Sequence, residues 1–213
     1  EGNIMASNRE LCLSVQEWED WYRRFTETWT PQNLLESAIF LDARAVFGDT
    51  GIAESLLAIV QESIRHHTLF LRMMAEMSLE RKPPLNFFQG FVYAKGGEKH
   101  TIDLKKQGLT PFVDAVRVLA YAHGIPAANT FERLEALQSA RVLTAPDVNA
   151  WMEAYGLLHL LRMRHHQEQL AAGLPLDNRI KPDALNPLDA RILRESFRQA
   201  QRLQQVLALA YQL

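Results

Sequence analysis

Cysteine is almost missing from these 213 residues: Cys12 stands alone, so no disulfide forms within the chain. Cysteine-based zinc sites fall with it, and no His-Glu-x-x-His occurs either. An excess of one charge is missing too. Lys and Arg number 23 against 25 Asp and Glu, a formal charge of −2, which offers no global field to hold nucleic acid or an anionic membrane surface. No apolar run reaches the ~20 residues of a membrane helix, and the N-terminus lacks the charged-then-apolar layout of a signal peptide. These absences predict a cytoplasmic chain with no nucleic acid and no membrane among its partners. Nucleotide loops of the Gly-x-Gly-x-x-Gly and Gly-Lys-Ser/Thr kinds are absent as well. The sequence opens Glu1-Gly2-Asn3 without an initiator Met, as a fragment would.

What is there is helical periodicity with clear punctuation. Ser14 with Glu17 forms a capping box ahead of a stripe of Trp18, Trp21, Phe25 and Trp29. Thr30-Pro31 restarts a helix that Gly48 stops, and Thr50 can cap the next. From there to about Arg81 neither Pro nor Gly intervenes after Gly51, which predicts one helix of about 30 residues. Pro83-Pro84 ends it. Aromatic, alternating residues follow on both sides of Gly96-Gly97, a pair suited to the positive φ of a tight turn, so one β-hairpin is expected at about residues 87–104. Helices then open at Thr110-Pro111, Asn129, Thr144 and Asn186-Pro187. The last carries Ile192, Leu193, Phe197, Ala200, Leu203, Val206, Leu207 and Ala210 on one stripe. The predicted fold is therefore mainly α, a helical bundle with one inserted hairpin. Residues 50–213 read as the bundle, and residues 1–49 as the trailing segment of an upstream domain with connecting helices.

Histidine pairs at His66-His67 and His165-His166 invite a metal reading, but helical neighbours point about 100° apart, and no Glu-x-x-His accompanies them. No metal site and no catalytic residue are expected. The more informative polar set interrupts apolar stripes. Asp103, Lys105 and Lys106 leave the hairpin, Asp114 and Arg117 lie one turn apart, Arg133 follows the Asn129-Thr130 cap, and Arg162 with His166 share a face. The helix bearing Arg162 is apolar nearly all round from Trp151 to Met163, so this charged face must meet a partner or a cleft. Two readings stay open. The cations can grip phosphates or a carboxylate, or they and the two aspartates can neutralise one another and lock hairpin to bundle. Asp42 reads as the partner of Arg44 or as a buried anchor.

Several strings carry a resemblance: Ile39-Phe-Leu-Asp-Ala-Arg-Ala-Val-Phe-Gly-Asp49, Pro84-Leu-Asn-Phe-Phe88, and Ile102-Asp-Leu-Lys-Lys-Gln-Gly-Leu-Thr-Pro-Phe-Val-Asp-Ala-Val-Arg117. Asn129-Thr-Phe-Glu-Arg-Leu134, Leu161-Arg-Met-Arg-His-His-Gln167 and Asp177-Asn178 continue it. Together they resemble the nucleotidyltransferase substrate-binding domain of bacterial signal-transduction proteins that also carry cyclic-nucleotide-binding and CBS domains. That family is similar to the N-terminal part of the PII uridylyltransferase. The resemblance implies an upstream catalytic domain as partner, with magnesium and a nucleoside triphosphate as cofactors of the complete enzyme. Its Gly-Ser turn and Asp-x-Asp pair do not occur here, so this chain alone is expected not to transfer nucleotides. Lys105, Lys106, Arg117, Arg133, Arg162 and His166 are then candidates to contact substrate, with Asp103 and Asp114 orienting them. The competing reading is a helical interaction module that joins regulatory domains or pairs with a second copy and has no ligand site. Its motive is the aromatic stripe on the first helix.

Overall fold

The structure is a computed structural model that describes residues 8–27, 40–93 and 100–213. Among the described residues the chain forms α1 (Val15–Glu27), α2 (Thr50–His66), α3 (Thr68–Glu80), α4 (Thr110–Ala122), α5 (Thr130–Ser139), α6 (Ala145–Ala171) and α7 (Pro187–Tyr211). The architecture is mainly α, as the periodicity predicts. The two longest helices, α6 and α7, pack on each other; α4 packs on α3, α5 and α7 and so lies at the centre of the bundle.

Local chemistry explains most of the boundaries. The Ser14–Glu17 box forms reciprocally, with both polar groups of Ser14 donating to the Glu17 carboxylate at 2.7 Å and the Glu17 N–H reaching Ser14 Oγ. Asn129, Thr144 and Asn186 each accept a first-turn N–H of α5, α6 and α7. α6 closes at Gly173, whose φ of +66° suits a residue without a Cβ. On α7 the stripe buries Leu193, Phe197, Ala200, Leu203 and Leu207, while Ala210 remains exposed beyond it. At ~1.5–3 kcal/mol per fully buried large apolar side chain, that stripe holds α7 in place far more strongly than its cap does.

Four expectations are corrected by the tertiary structure. The run from Thr50 to Arg81 is two helices. His67, at φ −93° and ψ 78°, leaves the helical region, which lets α2 pack on α1 while α3 turns to α4 and α7. The cap of α2 is Asp49, whose carboxylate accepts the Gly51 N–H, and not Thr50. Thr110 does not cap α4 either. A π-helical turn, Leu104–Leu109, runs directly into that helix, and the Thr110 hydroxyl donates to the Lys105 carbonyl at 2.8 Å. Gly108 allows this turn to press on the core, because a Cβ there would stand 3.2 Å from Phe197 Cε1.

The small antiparallel β element exists, but with a different partner. β1 (Ile102–Asp103) pairs with β2 (Arg179–Ile180), Ile102 opposite Ile180 and Asp103 opposite Arg179. Both isoleucines are buried, so the long-range pairing seals an apolar pair that a local hairpin would leave half wet. Residues 84–92 instead close on themselves through a Leu85–Phe91 bridge. Gly96-Gly97 lies outside the described residues.

The aromatic stripe of α1 is also resolved in part. Trp18 and Trp21 are half-buried and pack edgewise or tilted on each other, on Tyr22 and on Phe40 at ring separations of 4.8–5.8 Å. The Phe25 side chain and Trp29 lie outside the described residues.

Candidate functional site

The polar residues of the candidate set fall into two groups. The first centres on Asp42, just ahead of α2. Arg117 of α4 places Nε at 3.0 Å and Nη2 at 2.8 Å from Asp42 Oδ2. Tyr121, one turn on, donates its hydroxyl to Oδ1 at 2.7 Å, and Arg133 of α5 donates Nη2 to the same oxygen. Four donors on one carboxylate leave it no spare lone pair. Arg117 Nη1 reaches Asp114 at 2.9 Å, and Arg81 Nη1 holds the other oxygen of Asp114 at 2.7 Å. Arg133 is 1% exposed, gives Nε to the Ala127 carbonyl at 2.6 Å, and lies over the Tyr121 ring. Burial pushes the Asp42 carboxyl upward, yet Arg117 and Arg133 outweigh it and hold the group below the usual carboxylate range. Burial also raises the Tyr121 phenol, with the Asp42 charge adding to it. Asp42 is thus an anchor, half-buried and tied to helices well beyond its neighbour Arg44.

The second group gathers around the β ribbon. Arg162 donates Nε to Asn178 Oδ1 at 2.6 Å, and the carbonyl of Asn178 accepts the Leu104 N–H that opens the π-helical turn. Asp103 caps that turn, accepting the Lys106 N–H at 2.9 Å while its own N–H donates to Gln107. Its carboxylate is therefore occupied by backbone and does not orient a basic side chain through these bonds. Lys105 and Lys106 are exposed on the turn. His166 is half-buried, and its Nε2 is enclosed without a protein partner.

Beside this group opens a cleft of about 590 Å³, between the C-terminal half of α6, β2, the 3-10 turn Pro182–Ala184 and the start of α7. Its apolar lining includes Leu161, Ile180 and Leu185, and its charged lining is of both signs, Arg164, Arg179 and Lys181 with Glu168, Asp177 and Asp189. Asp177 fastens one wall. It accepts from the Arg179 N–H at 2.9 Å, His165 Nε2 at 3.1 Å and Gln169 Nε2 at 3.1 Å. The backbone bond from Arg179 is the main cause of its lowered carboxyl pKa. Arg164 keeps only a loose 3.9 Å pair with Asp189 and remains about half exposed. A cleft of this size, with apolar walls and a few charged groups of both signs, has the dimensions of a small-molecule site.

Of the residues singled out in the sequence, Arg117, Arg133 and Asp114 meet at Asp42, and Arg162 meets Asn178. Lys105, Lys106 and His166 lie on the elements around the ribbon. The six cations do not form a single wall. Arg164 is marked in the sequence only within the string Leu161–Gln167, and Arg179 and Lys181 not at all, because the strand that brings them to the cleft, Arg179–Ile180, is too short to leave a period.

Residues 68–211 match the family described as "Putative nucleotidyltransferase substrate binding domain". The chain belongs to this family. No curated protein and no solved structure matches it. The matched span of the substrate-binding domain holds the whole cleft, Arg117 and Arg133, whereas Asp42 stands ahead of it. Among the described residues no three His, Cys, Asp or Glu side chains gather as a metal ion requires, and no helix is long and apolar enough to cross a membrane.

Proposed function

We propose that the chain is the substrate-binding helical portion of a nucleotidyltransferase similar to the PII uridylyltransferase, working in a bacterial signal-transduction protein. An adjoining catalytic domain would supply the Gly-Ser turn, the Asp-x-Asp carboxylates and the magnesium. The nucleotide or acceptor enters the α6–β2–α7 cleft, its ring on the apolar walls and its phosphates on Arg164, Arg179 and Lys181. Lys105 and Lys106, exposed on the π-helical turn, and Arg162, bound to Asn178, are further candidates to contact substrate in the complete enzyme. The observation that carries the reading is this cleft inside the matched span of the family, with Arg164, Arg179 and Lys181 beside apolar walls and with Asp177 and Asp189 already bonded within the protein.

Calorimetric titration of the chain with ATP and UTP, with and without magnesium, tests it. Binding is expected without magnesium, and Arg164→Ala with Arg179→Ala weakens it about tenfold, or ~1.4 kcal/mol. Absence of heat with both nucleotides removes the nucleotide site.

A further inference from the structure

Two large apolar side chains stand almost wholly in water: Phe87 is 92% and Phe88 88% exposed, with rings 5.6 Å apart. Their turn is firmly held. The Asn86 N–H donates to the Gly90 carbonyl, the Gly90 N–H donates to Asn86 Oδ1, both at 2.9 Å, and Gln89 N–H closes the turn on the Asn86 carbonyl at 3.0 Å. Arg198 of α7 donates Nε to Gln89 Oε1 at 3.0 Å. Beneath, Phe91 meets the buried Phe197 edge-on and lies under the Arg194 guanidinium. A pinned turn does not fold its tip away from solvent, so the exposure of this pair is built in.

Beside the turn, between the end of α3 and the C-terminal half of α7, lies a hollow of about 720 Å³ with Phe87 on its rim. A cavity of ~150 Å³ is enough for a benzene ring, so this one has room for both side chains of another molecule. Of its lining only Lys82 carries a full charge; Gln201 and Gln205 offer amides, which donate and accept equally well. Gln204 is already committed to the carbonyls of Ser78 and Arg81.

We infer that this face binds a second copy of the chain, the Phe87–Phe88 turn of each molecule entering the α3–α7 hollow of the other. Knob and hollow side by side on one surface are what a two-fold axis needs, since each copy then gives and receives the same contact. The near absence of charge and the amide rim let two identical faces meet without repulsion. An aromatic side chain buries ~150–250 Å², so four rings remove ~800 Å² from water. The walls that receive them bring the total past the ~1,000 Å² expected of a biological interface. Along α7 the hollow begins at Gln201, ~18 Å at ~1.5 Å per residue beyond the last cleft residue, Asp189, so pairing leaves the cleft open.

Sedimentation velocity of the full chain from about 1 to 100 µM reads the outcome directly. A dimer is expected, and Phe87→Ser with Phe88→Ser weakens association at least tenfold while circular dichroism stays unchanged, both rings being exposed. Gln205→Arg, on the hollow side, weakens it as well by placing like charges across the axis. In a Cys12→Ser background, mixing a Phe87→Cys chain with a Gln205→Cys chain yields a disulfide between the two. A monomer at about 100 µM overturns the inference and leaves the turn to a different protein partner. So does a dimer indifferent to both sets of substitutions. Nucleotide titration of the Phe87→Ser, Phe88→Ser variant separates this surface from the cleft, whose binding should be unaltered.

Discussion

The Asp42 cluster and the α6–β2–α7 cleft are built from the same kinds of residue and do opposite things with them. Around Asp42, two arginines and a tyrosine spend their donors on one carboxylate, and Arg133 is buried to 1% exposure. In the cleft, Arg164 has a single loose partner at 3.9 Å and faces a hollow of about 590 Å³. The difference lies in burial. A guanidinium taken out of water must be paired inside the protein, whereas one at a rim keeps its hydration and can exchange water for a ligand phosphate. Cations of the first kind hold helices together, whereas one such as Arg164 remains about half exposed.

The sharpest way to break this contrast is to remove the shared carboxylate. Asp42→Ala leaves Arg133 buried and uncompensated and should cost about 3 kcal/mol in urea unfolding. Nucleotide affinity of the folded fraction should stay unchanged. The cleft variant Arg164→Ala with Arg179→Ala should do the reverse, with a tenfold loss of binding, ~1.4 kcal/mol, and stability within ~0.5 kcal/mol of the parent. If Asp42→Ala abolished nucleotide binding while the fold persisted, the Asp42 cluster would be the ligand site. A control on the same helix as the cleft comes from Thr144→Ala. It removes the cap of α6 at its distant end, with an expected cost of about 1 kcal/mol and no change in binding.

The smallest effect concerns pH. Burial, aided by the Arg162 charge, lowers the pKa of His159, whose ring stands edge-on to Tyr155 at 4.6 Å. The folded state therefore binds this proton less readily than the unfolded chain. Its contribution is complete above the ordinary histidine pKa of about 6.5 and fades as pH falls through that value toward the folded one. Urea midpoints at about pH 7.5 and 5.5 should show a slight loss that His159→Asn removes. Asp42 acts lower on the scale. Its depressed carboxyl stabilises the fold above the ordinary carboxylate range, and that stability disappears as pH drops through the folded value, a second step absent from Asp42→Ala.

Much of the fold is legible locally. Ser14, Asn129, Thr144 and Asn186 announce their helices because capping is settled within one turn of chain. The break at His67 is not legible, since no Pro or Gly marks it and the packing of α2 and α3 on different neighbours imposes it. The exposed flank of α6 is a related case. Leu160 and Met163 remain in water although the run around them reads as buried on all sides, because composition does not say how many neighbours a helix has. At the candidate site, Arg162 is legible as a polar break in an apolar helix, and Asp177-Asn178 as part of the family resemblance. Arg179 and Lys181 are not, for only the long-range pairing of β1 with β2 brings them to the cleft.

Composition, caps and the apolar period of α7 suffice by themselves for a mainly helical bundle, because these are properties of short stretches of chain, and the strings from Ile39 to Asn178 carry the resemblance to its family. Which arginines are spent inside and which face a hollow was decided only by the tertiary structure. That choice depends on how much water each guanidinium loses when distant helices close around it, and residues such as Asp42 and Arg133, far apart in sequence, meet only once they have closed.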